Sequence, residues 1–235
     1  METRVAVIKF PGSNCDLDVV HVLKNVLNVP TELVWHKEFK HSGYDAVVLP
    51  GGFSYGDHLR CGVIAARSPA MEEVKLMAEE GKPVLGICNG FQILVEAEIL
   101  PGAFLPNDSL KFICKWIILR CETAHTAFTS LISEGQMLHM PIAHHEGRYF
   151  HEAEALKALS FSRRIVFRYV DEKGEPSSKA NPNGAVGNIA AIANERGNVL
   201  GIMPHPERAS EPILNPSRRR DGALIFQSMV DYIKH

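Results

Sequence analysis

Cys88 stands in the segment GICNGFQ (86–92), with a glycine two positions away on either side and the apolar run KPVLGIC leading into it. A thiol near neutral pH is a strong nucleophile, and small neighbours are what a sharp strand-to-helix bend needs in order to display one. On such a bend the first N–H groups of the following helix face the sulfur and favour thiolate over thiol. The amide of Asn89 is placed to donate to a developing oxyanion. The same segment also fits a small buried cysteine in a tight turn, and at this point both readings stand.

A thiol nucleophile needs a base, and the base needs a group to orient it. No histidine is adjacent, because Asn89 follows Cys88. The segment GIMPHPERAS (201–210) offers His205 and Glu207, two residues apart and stiffened by Pro206. Extended-chain alternation predicts both side chains on one side. Glu207 can then accept from one imidazole nitrogen while the other faces the sulfur, the arrangement of a Cys/His/acid triad. LPGGFSYGD (49–57) adds a glycine pair, Gly51 and Gly52, whose amides can turn outward toward an anion. It lacks the G-x-x-x-x-G-K-[ST] pattern, and the PGSN that follows the first apolar run is not G-x-G-x-x-G, so neither nucleotide fingerprint is present.

These residues need a frame. RVAVIKF (4–10), TELVWH (31–36), DAVVLP (45–50) and PVLGIC (83–88) read as strands, separated by helices at 16–25 and from Ser68-Pro69 to Gly81. GFQILVEA (90–97) follows Cys88 as a helix with almost no connection. Alternating strand and helix over the first 97 residues predicts right-handed βαβ units, a doubly wound parallel sheet flanked by helices in the flavodoxin-like manner. Function in such sheets gathers at the carboxyl ends of the strands. The later segments 111–121, 137–144, 164–170, 188–194 and 199–205 read as further strands that extend the sheet with an antiparallel edge, and the last helix spans 218–234. No linker divides the chain, which predicts one domain over residues 1–235.

The composition of the 235 residues is that of an ordinary soluble globule, and a formal charge of −2 gives no electrostatic reason to expect nucleic acid or an anionic membrane. SRRR (217–220) reads as a solvated helix entrance. METRVAVIKF runs into a strand without signal-peptide anatomy, and five scattered cysteines form no disulfide framework. A cytoplasmic protein is expected. Cys15, Cys61, Cys114 and Cys121 read as buried or incidental. His139, His144, His145 and His151 fit no metal-ligand spacing, and alternation points His144 and His145 to opposite faces. No metal site is expected.

GICNGFQ together with the distant HPE resembles the class I, triad-type glutamine amidotransferases, whose pattern is G-x-C-x-G-x-Q with H-x-E. PGGFSYGDHLRCGVIAA (50–66), NPNGAVGNIAAIAN (181–194) and GNVLGIMPHPER (197–208) narrow the likeness to a branch of that family. Its members are the glutaminase subunits of purine biosynthesis that serve the conversion of formylglycinamide ribonucleotide to formylglycinamidine ribonucleotide. The likeness covers nearly the whole chain. It implies that Cys88 attacks the side-chain amide of glutamine, with His205 as proton carrier and Glu207 orienting it. It further implies an oxyanion hole from Gly52 and Asn89, and glutamine contacts from Gly51, Gln92, His145 and Glu146. His145 stands where glycine is common in the family. The ammonia would pass to a large synthetase subunit that uses ATP and magnesium, with a small third subunit in the complex and no cofactor in this chain. Two rival functions remain beside it. A peptidase or deglycase-like relative usually places histidine directly after the nucleophile, where Asn89 stands. A subunit with a vestigial site would have no reason to keep Cys88, His205 and Glu207 together.

Overall fold

Short β-branched runs and amphipathic helices alternate along the chain, and a computed structural model, which describes residues 3–235, shows how they assemble. The elements in chain order are β1 (Val5–Lys9), α1 (Asp16–His21), β2 (Thr31–Trp35), β3 (Ala46–Leu49), α2 (Pro69–Glu79), β4 (Val84–Ile87) and α3 (Asn89–Glu96). The second half contributes β5 (Ala103–Leu105), β6 (Ile113–Cys121), β7 (Met137–His144), β8 (Arg148–Phe150), α4 (Ala153–Phe161), β9 (Ile165–Val170), β10 (Ile189–Ala193), β11 (Val199–Ile202) and α5 (Ala223–Lys234).

Nine strands form one sheet in the order β2-β1-β3-β4-β11-β10-β9-β6-β7. The first five positions run parallel and the remainder antiparallel, as the strand–helix alternation and the strand-rich second half predict. β3, β4, β10 and β11 are buried along their whole length, so they carry unbroken apolar runs rather than alternation. The chain leaves β1 for β2 on one side and returns to β3 on the other. That reversal opens a crevice at the carboxyl ends of the parallel strands.

Several elements differ from the sequence reading. The first helix ends at His21 and continues as a π-helical turn, Val22–Val26. α5 begins at Ala223, so SRRR precedes it instead of opening it. There Arg219 pairs with Asp221 at 3.0 Å and Arg220 Nε donates to the Ser210 carbonyl at 3.2 Å. β5 and β8, three residues each, pair as a separate antiparallel ribbon, and α4 follows them. The ribbon has a structural purpose. Phe104 of β5 and Tyr149 of β8 pack on Phe91 of α3, with ring centroids 4.8 and 6.0 Å away, and hold that helix in place. Among the described residues no helix is long and apolar enough to cross a membrane.

Candidate functional site

Four neighbouring parallel strands, β1, β3, β4 and β11, deliver their carboxyl ends to one crevice. The loops that follow them carry Cys15, Gly51-Gly52, Cys88 and His205 in that order. Cys88 separates β4 from α3 by a single residue, with φ 50° and ψ −104°. For a side chain with a Cβ this backbone conformation costs about 1–3 kcal/mol, and the surrounding packing must hold it. Part of that packing is the close approach of Gly90 to β3: a Cβ at Gly90 would lie 2.0 Å from the Leu49 carbonyl oxygen, and one at Gly86 would lie 2.7 Å from the Gly90 oxygen. Gly90→Ala is therefore expected to lower stability by about 3 kcal/mol or more, because backbone rather than a movable side chain stands in the way. Urea unfolding at pH 7 measures it, and a loss below about 1 kcal/mol would contradict the packing described.

His205 and Glu207 lie buried just past β11. Strand alternation does not bring them together, contrary to the sequence reading. The strand ends at Ile202, His205 has extended dihedrals, and Pro206–Ala209 form a 3-10 turn that folds Glu207 back on the ring. Nδ1 of His205 donates to Glu207 Oε1 at 2.6 Å, and the His205 amide donates to the Pro141 carbonyl of β7 at 2.9 Å. Nε2 has no hydrogen-bond partner among the described residues. Burial alone would push the imidazole pKa down. The Glu207 carboxylate first, and then the charge of Cys88, outweigh it and hold His205 well above its ordinary value. The ring is thus set to keep a proton taken from a nearby thiol.

Cys88 opens on a narrow cavity of about 20 Å³, lined by Gly52, Phe53, Asp57, Cys61, Gln92, Ala143, His144, His145 and Glu146 as well as the thiol itself. That is room for about one water molecule. A chain of amide hydrogen bonds joins its walls. The Ser54 amide donates to Asn89 Oδ1 at 3.1 Å, Asn89 Nδ2 to Gln92 Oε1 at 2.9 Å, and Gln92 Nε2 to the Glu146 carbonyl at 2.7 Å. Gly52 has φ 144°, and neither its amide nor that of Asn89 donates to a backbone carbonyl among the described residues. Gly52, Asn89, Gln92, His145 and Glu146 thus meet around Cys88. Gly51 differs: it packs against the His205 ring and Cys15 and is not among the residues lining the cavity.

The histidine pair separates as alternation predicts, His144 buried and His145 exposed. His144 Nδ1 donates to Asn107 Oδ1 at 3.1 Å and its Nε2 accepts from Asn183 at 3.4 Å. Burial first, then the neighbouring His205 and His145, lowers its pKa to about 3, so it is a neutral ring anchoring the 144–147 loop. Both nitrogens are engaged, and His139 turns instead to Asp221 at 3.5 Å.

Four residues near the site lie outside the set expected from the sequence. Asp57 and Cys61 line the cavity, and burial pushes both pKa values up. Cys15 and Arg208 stand behind His205, with Arg208 Nη2 3.1 Å from the Cys15 sulfur. Cys15 and Cys61 are buried, as the sequence reading allows, but their place beside the site is not read from local spacing, since Cys15 meets a residue 193 positions away.

Residues 2–233 match the family described as the CobB/CobQ-like glutamine amidotransferase domain. The chain is 56% identical over 230 residues to the phosphoribosylformylglycinamidine synthase subunit PurQ of Methanosarcina mazei, covering 98% of each chain. It is 50% identical over 227 residues to the same subunit of Aquifex aeolicus, covering 97% of this chain and 99% of that one. Among solved structures, a chain of PurLQS from Thermotoga maritima superposes with a TM-score of 0.86 at 42% identity, over 99% of this chain and all of that one.

Proposed function

This chain belongs to the CobB/CobQ-like glutamine amidotransferase family, and from that premise we propose that its residues form one domain, the glutaminase subunit of a phosphoribosylformylglycinamidine synthase in purine biosynthesis. The observation that carries the chemistry is the strained Cys88 elbow on β4 beside the buried His205–Glu207 pair on the adjoining parallel strand β11.

Glutamine enters with its side-chain amide carbon at the Cys88 sulfur. The sulfur attacks that carbon, and the carbonyl electron pair moves onto oxygen. The Gly52 and Asn89 amides donate to this oxyanion. Collapse of the adduct breaks the C–N bond, and His205 gives its proton to the departing nitrogen, so ammonia leaves and a γ-glutamyl thioester remains. Water then attacks the thioester carbon while His205 takes its proton. The second adduct expels the sulfur and frees glutamate. Glu207 holds the imidazole in the tautomer that both steps require. Gln92, His145 and Glu146 border the substrate's other end.

Ammonia released into bulk water would be protonated and lost as a nucleophile, so it passes directly to a large synthetase subunit. That partner binds ATP and magnesium and converts formylglycinamide ribonucleotide to formylglycinamidine ribonucleotide; a small third subunit completes the assembly in the cytoplasm. This chain itself takes no cofactor.

The cavity over Cys88 is narrow, and the walls at 52–61 and 143–146 part to seat glutamine. Docking of the synthetase is the event best placed to part them, which makes the free subunit a slow glutaminase. The test follows amide-15N glutamine. With synthetase, ATP and formylglycinamide ribonucleotide present, the label is expected in formylglycinamidine ribonucleotide together with stoichiometric glutamate, and glutamate release falls when the synthetase is withheld. Absence of label from the nucleotide would overturn the assignment, and equal glutamate release with and without the synthetase would overturn the coupling.

A further inference from the structure

His205 and Glu207 lie inside the protein, and a buried pair of this kind depends on what surrounds it. Oε1 of Glu207 takes the imidazole proton, but Oε2 is buried without a hydrogen-bond donor among the described residues. Among the described residues, the one other cation within ion-pair distance of that carboxylate is Arg208, with Nε 3.9 Å from Oε1. Its Nε also lies 3.5 Å from Asp18 Oδ2 at the start of α1, and its Nη2 donates to Cys15 Sγ at 3.1 Å. Cys15 is tied in turn to the glycine loop, its amide donating to the Gly51 carbonyl at 3.2 Å. A Cβ placed on Gly51 would stand 2.7 Å from His205 Cε1 and 3.2 Å from the Cys15 sulfur, so three loops converge on this imidazole.

Cys15, His205 and Glu207 hold donor atoms within 4.8 Å of one another, a spacing that could hold a metal ion. The guanidinium already rests on the sulfur, and a second cation beside it would be repelled. A positioning role fits all the contacts. We propose that Arg208 and Cys15 are positioning residues for the His205–Glu207 pair. Arg208 compensates the Glu207 carboxylate from beside Oε1, and Cys15 fixes the guanidinium while packing against the imidazole. The inference rests on the reading of Cys88, His205 and Glu207 as the glutaminase machinery.

Arg208 keeps 38% of its side chain exposed, so truncating it leaves a hole open to solvent. That permits a chemical test. With the synthetase present, Arg208→Ala is expected to lower kcat for glutamine by about 10- to 100-fold with KM little changed, since a misplaced base slows chemistry rather than binding. Added methylguanidine should restore much of the loss. Arg208→Lys should recover little, because one ammonium cannot span sulfur and two carboxylates in the geometry of the planar fork. Arg208→Gln, which keeps the packing of the stem, is run beside them. Cys15→Ala should lower kcat in the same way, and Cys15→Ser, whose hydroxyl still accepts from the guanidinium, should recover most of it.

A second readout needs no glutamine: the rate at which iodoacetamide alkylates Cys88 with the synthetase bound, read by mass spectrometry. It is expected to fall in Arg208→Ala and to rise again with methylguanidine. Folded Arg208 variants with wild-type kcat and alkylation rate would overturn the proposal, as would a loss that neither methylguanidine nor Cys15→Ser relieves. Arg208-dependent alkylation in a protein that releases no glutamate under any condition would instead sink the glutaminase reading and leave the positioning role standing.

Discussion

Replacing Cys88 by alanine is expected to remove glutamate formation by about four orders of magnitude or more, with the fold intact. The reason is chemical. No second thiol can substitute: Cys15 is bound to Arg208 on the far side of the loop junction, and burial and two neighbouring carboxylates hold the Cys61 thiol protonated. A chloroketone analogue of glutamine should label wild-type protein once, at Cys88, and leave Cys88→Ala unlabelled. Stoichiometric labelling elsewhere, or undiminished glutamate release by the variant, would end the assignment. Strain at the elbow adds a contrasting expectation. Alanine keeps a Cβ at φ 50°, whereas glycine does not, so Cys88→Gly should be more stable than Cys88→Ala by about 1 kcal/mol although equally inactive. A position where a Cβ is carried at a cost in stability and the thiol is needed for turnover is one held in place for its chemistry.

Glu207→Gln is expected to cost about 10²- to 10⁴-fold in kcat, because glutamine fills the same space yet brings no charge to the imidazole. Burial then meets less opposition, and the His205 pKa falls from its raised value. The sign of the linked stability follows. A histidine whose folded pKa is raised stabilises the fold fully below its unfolded value of about 6.5, and that stabilisation is lost as pH climbs through the folded value. Wild type should therefore exceed Glu207→Gln in stability most clearly below pH ~6.5, with the gap narrowing toward alkaline pH. Urea unfolding across that range reads the effect. A gap that widens with pH would mean that His205 is not the group held protonated.

Much of this was legible before any coordinates. The strand–helix alternation of the first 97 residues, the glycines around Cys88 and the spacing of His205 and Glu207 are local signals, and local signals survive in a linear string. The three-residue strands β5 and β8 were not legible, since a run so short carries no periodicity and exists only because Phe104 and Tyr149 find Phe91. The turn that folds Glu207 onto His205 was misjudged for a related reason. H-P-E at a strand end is compatible with extended chain, and only the bond to Pro141 and the turn after it settle the geometry. Arg208 lay in plain view beside Glu207, but its partner Cys15 is at the other end of the chain and only the sheet order brings them together.

That sheet order has a temporal side. β11 occupies the slot between β4, which carries the nucleophile, and β10, yet it is the last strand to be synthesised. A nascent chain emerging from the ribosome can build β1 through β4 and fold the elbow early, but the neighbouring groove stays vacant until the final strand is made. An amide-cleaving centre therefore cannot switch on in a truncated or half-made polypeptide, and premature termination anywhere before residue 205 leaves an inert thiol rather than an unregulated source of free ammonia.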